Sequence, residues 1–273
     1  MTTSPVNQVR PELLRDLLID AASIAARLYR VGSGARQKAD GSLITEADVV
    51  INDYLRSTLQ ALFPGAAWLS EETADDLSRL GQDWLWVVDP LDGTKEFVRG
   101  VPEFAISVGL VHQHRAVLGG VVNPASGEGG VGRVGDGVEF WGDLRQRPAA
   151  TSLSEAFASL SRSEIEDRTV LPFVDLVGST CPVGSVAYKL LRVAAGREDL
   201  TFSVQPKSEW DICGGVALLH ASDRVYRRFD ARPLRFNERD TRIRSGAVAG
   251  RNDLVDEFLS KINRRDITVG DTR

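Results

Sequence analysis

A chain of 273 residues is long enough for one large domain or two moderate ones, and either buries a substantial core. Its 33 Lys and Arg against 38 Asp and Glu leave a net charge of -5 without long single-sign blocks, so no basic footprint for a nucleic-acid polymer or a membrane surface is visible. The two cysteines, Cys181 and Cys213, form no close pairing motif and indicate neither a disulfide framework nor a zinc site.

Met1 to Arg10 lacks the basic start and apolar stretch of a secretory signal, and no run of about eighteen apolar residues follows, so a cytoplasmic protein is expected. Pro11 opens an amphipathic helix through Leu14, Leu17, Leu18, Ala21, Ile24, Ala25 and Leu28, ending near Gly32. A second helix begins at Thr45, carries Ile51, Leu55, Leu59 and Leu62, and is stopped by Phe63-Pro64-Gly65. Short apolar runs at Ala67–Leu69, Trp84–Val88, Phe104–Val111 and Val117–Val122 read as strands of one sheet, and the glycine-rich stretch from Glu128 to Asp143 as a hairpin. The polar segment from Arg145 to Ser154 suggests a join between two halves, 1–148 and 149–273. Beyond it, Val183–Ala195 and Ile212–His220 read as helices, and Val170–Val177, Leu200–Val204 and Val225–Phe229 as strands. Helices and strands mixed in this way, with no repeat, indicate an α+β or layered α/β architecture.

The chemistry concentrates in acidic clusters. Trp84-Leu-Trp-Val-Val-Asp-Pro-Leu-Asp-Gly-Thr94 is an apolar strand that delivers two carboxylates into a small-residue turn. Pro90 has no ladder donor and biases Asp89 toward an extended conformation, which predicts the strand's end there, with Asp92 turning back toward Asp89. Paired carboxylates repel, and a divalent cation relieves that repulsion; oxygen ligands favour magnesium, manganese or calcium over zinc. If a helix starts after Gly93, its free amides form an anion site beside the metal, with a phosphate as its guest. Glu71, in Leu69-Ser-Glu-Glu-Thr73, reaches Asp89 if the two runs pair as neighbouring strands. Thr45-Glu-Ala-Asp48 and Ser208-Glu-Trp-Asp211 have capping-box spacing, which explains them as well as metal chemistry does; the two roles are compatible. His112, His114 and His220 lie away from these clusters, and Cys181 has Ala187 where a cysteine phosphatase needs Arg.

Together these residues resemble the inositol monophosphatase superfamily, in which a Glu-Glu pair, an Asp-Pro-hydrophobic-Asp-Gly-Thr string and a late Trp-Asp occur in this order. Lys38-Ala-Asp-Gly-Ser-Leu-Ile-Thr-Glu-Ala-Asp48, Leu69-Ser-Glu-Glu72, Asp89-Pro-Leu-Asp-Gly-Thr-Lys-Glu-Phe97, Ser161-Arg-Ser163 and Pro233-Leu-Arg-Phe-Asn237 look most like its 3'(2'),5'-bisphosphate nucleotidase branch. The resemblance implies a layered αβαβα sandwich, with an α+β N-terminal half carrying most metal ligands and an α/β C-terminal half completing the site. It implies two firmly held Mg2+ ions, one on Glu71, Asp89 and the Leu91 carbonyl and one on Asp89, Asp92 and Asp211. A third, held largely through water, would belong to Asp48 and Glu71, with Lys38 nearby. By the same resemblance Thr94 and Glu71 orient the attacking water, the Gly93 and Thr94 amides hold the phosphate, and Gly184-Ser185-Val186 forms a substrate-side loop.

The function so implied is a lithium-sensitive, magnesium-dependent phosphomonoesterase that removes the 3'-phosphate of adenosine 3',5'-bisphosphate by metal-activated water. Inositol monophosphatase or broad sugar-phosphate phosphatase activity is the alternative. Members acting on inositol phosphate carry an acidic residue seven positions before the late Asp, where this chain has Val204. Leu43, where the nucleotidase branch often has Pro, and the segment Val204 to Glu209 also depart from the family pattern. Two rivals remain: a haloacid-dehalogenase-type phosphatase, against which the extra residue between Asp89 and Asp92 argues, and an inactive metal- or phosphate-binding homologue. The expected partner is a small phosphorylated nucleotide or sugar, with no nucleic-acid polymer and no membrane, and the sequence carries no signal for an oligomer.

Overall fold

The computed structural model describes residues 9–31, 34–38 and 41–263. The segment before Val9, the first helix's end at Gly32, and Ala39-Asp40 of the Lys38 motif lie outside the described residues.

Helix α1 (Pro11–Val31) is followed by a small antiparallel pair, β1 (Arg36–Gln37) and β2 (Leu43–Ile44), and by α2 (Glu46–Leu62). A six-stranded sheet then forms in chain order: β3 (Ala67–Ser70), β4 (Trp84–Asp92), β5 (Ala105–His112), β6 (Arg115–Val122), β7 (Gly129–Arg133) and β8 (Gly137–Trp141). The β3–β4 pair is parallel and the others are antiparallel, with α3 (Thr94–Arg99) between β4 and β5. The second half runs β9 (Phe157–Leu160), α4 (Arg162–Glu166), α5 (Leu171–Val174), β10 (Ser179–Pro182), α6 (Val186–Ala194) and β11 (Leu200–Ser203). It continues with β12 (Lys207–Ser208), α7 (Glu209–Ala221), β13 (Val225–Arg228), β14 (Arg242–Ile243), β15 (Ala247–Gly250) and α8 (Asn252–Asn263). Its five-stranded sheet has the order β10-β9-β11-β15-β13, while β12 and β14 pair separately.

These elements stack as αβαβα. Leu14 and Leu18 of α1 and Ile51 and Leu55 of α2 share one core with Trp86, Val88, Ile106 and Val108 on one face of the first sheet. The opposite face, through Leu85, Val87 and Val121, meets Leu190, Leu191, Ile212 and Val216 of α6 and α7. On its outer side the second sheet, through Leu200, Phe202 and Val248, packs against Phe173, Val255 and Phe258. Helix α7 is therefore buried on all sides, which is why its residues 212–219 are apolar or small throughout. It lies unusually close to the sheet. A Cβ on Gly119 would stand 2.6 Å from the Gly214 carbonyl, and one on Gly214 would stand 2.8 Å from the Val108 carbonyl.

Two expectations are corrected. Residues 170–177 hold a helical turn, Leu171–Val174, rather than a strand; Pro172 in its first turn supplies a helical φ and could not donate to a ladder. Strand β4 does not end at Asp89 but continues to Asp92, with a register shift between Asp89 and Asp92 that absorbs the proline's missing donor.

Candidate active site

The parallel register of β3 and β4 sets Ser70 opposite Val88, and the Glu71 amide donates to the Val88 carbonyl at 3.3 Å. That pairing carries Glu71 to the level of Asp89, as the sequence predicts. The bulge after Asp89 then turns the chain, and the Leu91 amide donates back to Asp89 Oδ1 at 3.0 Å. Gly93, at φ 97°, makes the tight turn into α3; a Cβ there would stand 3.2 Å from the Glu103 carbonyl and the Phe104 Cα.

Other side chains arrive from helix starts. Asp48 Oδ2 accepts from the Thr45 amide at 2.7 Å and the Thr45 hydroxyl at 2.6 Å, while its Oδ1 lies 3.2 Å from the Thr94 hydroxyl. Thr94 Oγ1 also stands 3.1 Å from the Leu91 carbonyl. Asp211 Oδ2 accepts from the Ser208 amide at 2.8 Å. Both capping boxes are real, and each spends one carboxylate oxygen on the cap. Asp92 Oδ2 takes the Ser185 hydroxyl and the Ala187 amide, each at 2.6 Å. Lys38 donates to Glu71 at 3.0 Å and to Glu72 at 2.6 Å. Gly184 leaves no room for a side chain, since a Cβ would stand 2.7 Å from the Glu103 backbone carbonyl.

Burial and the mutual repulsion of Glu71, Asp92 and Asp211 push the Asp89 carboxyl well above the ordinary carboxylate range. Burial, with Glu72 and Asp92 adding to it and Lys38 opposing, takes Glu71 to about 7; burial and Asp92 take Asp211 to about 7. Asp48 is raised by burial as well. Among the described residues no three Asp, Glu, His or Cys side chains stand close enough together to hold a metal ion as placed. Glu71, Asp92 and Asp211 stand near enough to raise the Asp89 pKa, yet the carboxylates are not drawn together, as like charges require. Asp89, Asp92 and Asp211 each commit one oxygen to protein donors and leave the other uncommitted among the described residues. With the Leu91 carbonyl these groups offer oxygen donors only, the chemistry that a hard divalent cation takes when it displaces the carboxyl protons.

A pH dependence follows. Glu71, Asp211 and Glu209, each at about 7 with burial as the first cause, hold protons in the folded chain that the unfolded chain releases near pH 4. Their contribution to stability is complete below the unfolded value and is lost as the pH rises through 7. With chelator present, the unfolding midpoint is expected to fall by about 5 °C or more between pH 5 and pH 8. A flat or rising midpoint over that window contradicts the clustered geometry.

Sequence reasoning missed several nearby groups. Lys207 lines a pocket with Lys189, Val186, Leu190, Phe202 and Tyr226, beside the carboxylates. The charges of Lys207 and Asp211, and of Lys189 and Asp92, act on one another. Val204 packs against the core of the second sheet, and its amide donates to Glu164 Oε1 at 3.1 Å. Glu103 and Arg162 also lie here. No helix among the described residues is long and apolar enough to cross a membrane.

Residues 11–264 match the model of the inositol monophosphatase family. The chain belongs to the inositol monophosphatase family. It is thus an enzyme, a hydrolase of phosphoric monoesters, and the aspartyl-phosphate rival falls away. It is 27% identical to inositol monophosphatase 3 of Solanum lycopersicum over 92% of this chain and 97% of that one. It is 28% identical to the 3'(2'),5'-bisphosphate nucleotidase CysQ of Aggregatibacter actinomycetemcomitans, over 88% of this chain and 94% of the relative. The fold is shared with the Thermotoga maritima IMPase, at a TM-score of 0.78 and 23% identity, covering 93% of this chain and 97% of that one. Family members of both substrate kinds thus stand at similar distance.

Proposed function

We propose that this family member is a magnesium-dependent phosphomonoesterase acting on adenosine 3',5'-bisphosphate, with inositol 1-phosphate a poorer substrate. The observation that carries the metal reading is the convergence of Glu71, Asp89, Asp92 and Asp211, three of them with raised carboxyl pKa values, beside the Asp48–Thr94 contact. Glu71, Asp89 and the Leu91 carbonyl would hold one ion, Asp89, Asp92 and Asp211 a second, and Asp48 with Glu71 a third. When bound, Mg2+ supplies Lewis-acid polarisation of the phosphoryl oxygens and acidifies a water.

The chain's own residues do the rest. Asp48 accepts the Thr94 hydroxyl's hydrogen bond, which turns the Thr94 lone pairs toward a water and helps fix its direction of attack. Glu71 is held in place by Lys38. The Gly93 and Thr94 amides, at the start of α3, have no helical acceptor and suit a phosphate oxygen. Gly184 and Ser185 border the substrate side, and Lys38 stands over Glu71 and Glu72.

One feature supports the nucleotide. Position 204 offers no carboxylate to ring hydroxyls, and Glu164 beside it spends Oε1 on Ser203, Val204 and Gln205 while its Oε2 is sealed from solvent. A polyhydroxylated ring would leave hydroxyls unpaired there, a loss that discriminates strongly.

Phosphate release with Mg2+ tests this directly. The specificity constant for adenosine 3',5'-bisphosphate is expected to exceed that for inositol 1-phosphate by about tenfold or more, with inhibition by millimolar lithium. Equal or higher specificity for inositol 1-phosphate refutes the nucleotidase reading and favours the sugar-phosphate alternative. No magnesium-dependent release from any phosphate monoester would mark an inactive homologue.

A further inference from the structure

The Ser161-Arg162-Ser163 motif has no part in the chemistry above, yet its arginine crosses from the second sheet's side to the first. Arg162 Nε donates to Glu103 Oε2 at 2.8 Å and its terminal nitrogen to Glu103 Oε1 at 2.7 Å, a two-pronged ion pair. Glu103 Oε2 also accepts the Gly184 amide at 2.7 Å. The next residue, Ser185, holds φ 57° and ψ 128°, a conformation that side-chain-bearing residues avoid. Such strain persists only where the surroundings over-determine it.

We propose that Glu103 and Arg162, together with Lys189, form a brace that holds Ser185 in this conformation and so aims Asp92. The inference rests on the reading of Asp92 as a cation ligand. Each neighbour of Ser185 is held separately. Glu103 fixes the amide of Gly184 in front of it. Lys189, only 3% exposed, donates to the Ser185 carbonyl at 2.9 Å and the Val183 carbonyl at 3.2 Å. With the backbone clamped from both sides, the Ser185 hydroxyl donates to Asp92 Oδ2 and accepts from the Tyr188 amide at 3.0 Å. The Ala187 amide completes the seat of the same carboxylate oxygen. That fixes which Asp92 oxygen remains uncommitted and where it points. Glu103 and Arg162 touch neither reacting atoms nor cation, so they are positioning residues.

The test uses the full chain with Glu103→Ala, Glu103→Gln, Arg162→Leu and Ser185→Gly. Glutamine keeps an acceptor for the Gly184 amide but loses the ion pair, so it should fall between wild type and alanine. Amide hydrogen exchange without metal reads the brace itself: Gly184 and Ala187 should exchange about tenfold faster in Glu103→Ala, while α1 and α2 stay unchanged. Calorimetric titration with Mg2+ alone should show about tenfold weaker binding in Glu103→Ala and Arg162→Leu. The Mg2+ concentration for half-maximal turnover should rise equally, with kcat at saturating Mg2+ falling less than about threefold. Adding Glu103→Ala to Ser185→Gly should weaken Mg2+ binding by less than about twofold further, because both act through one contact. Wild-type exchange rates at Gly184 and Ala187 in Glu103→Ala overturn the brace, as does full additivity with Ser185→Gly. A wild type that neither binds Mg2+ nor releases phosphate overturns the functional reading instead, and the exchange comparison still decides whether the brace exists.

Discussion

Replacing Asp89 by Asn is expected to lower phosphate release by about a thousandfold or more while raising the unfolding midpoint of the metal-free protein. Asp89 is only 1% exposed, and burial with three neighbouring carboxylates already opposes its ionisation. Asparagine keeps the shape and the oxygen that accepts the Leu91 amide but does not ionise, so the metal-free fold no longer has to hold a proton that the unfolded Asp89 would release. Turnover moves the opposite way, because Asp89 would be shared between two ions, and losing about 4 kcal/mol of transition-state stabilisation corresponds to that thousandfold. Saturating Mg2+ should reverse the stability order, since wild type gains by mass action what the variant cannot. Thermal unfolding with chelator and with Mg2+, beside phosphate release, checks all three statements. Near-normal turnover in Asp89→Asn would remove Asp89 from the site, and a lower midpoint in chelator would show that it serves the fold instead.

Gly214→Val is expected to cost about 3 kcal/mol or more of stability, or about 6–10 °C in unfolding midpoint. A Cβ at 214 meets Ser107 Oγ at 2.7 Å and the Val108 carbonyl at 2.8 Å, and the opposing Gly119 leaves no side chain to rotate away. The added atoms press on backbone, which yields only if α7 lifts from the sheet. Lifting α7 moves Asp211, three residues earlier on the same helix, so activity should drop even where the variant folds. Gly34→Ala, where nothing stands within 4 Å of the added Cβ, is the control, although its φ of 48° carries a strain of its own. A midpoint within 2 °C of wild type for Gly214→Val would mean that the helix does not sit this close.

Much of the first sheet was legible because its strands are short, β-branched and aromatic runs broken by turns, and because the Asp89 to Thr94 string names its own bend. The placement of Glu71 was also legible, given a neighbouring strand. What sequence could not convey was distance. The glycines at 109, 119 and 214 read as ordinary small residues, and only the packed helix shows why no side chain fits. Residues 170–177 misled because an apolar run of that length is shared by strands and buried helical turns, and Pro172 was the signal that should have decided it. Strand β15 and helix α8 passed unnoticed: Ala247–Gly250 is short and poor in bulky side chains, and α8 lacks a strong stop signal within the described residues. Glu103, Lys189 and Lys207 carry no motif. Their roles arise from contacts 81 residues apart in the case of Glu103 and Gly184, and spacing along the chain cannot express such a contact.

Four helices begin at this cluster: α2 at Asp48's cap, α3 at Thr94, α6 after Ser185 and α7 at Asp211's cap. Each presents the positive end of its peptide dipoles to the carboxylates, a fixed field of about half a unit charge per full-length helix. The backbone thereby offsets part of the negative charge with groups that neither titrate nor diffuse away. High salt should consequently screen the approach of a cation from solvent more than it loosens the resting site, because the dipoles act within one helical turn, closer than the Debye length at ordinary ionic strength. The carboxylates still stand apart, so part of a cation's binding energy has to go into gathering them, and the dipoles lessen the repulsion that this gathering meets.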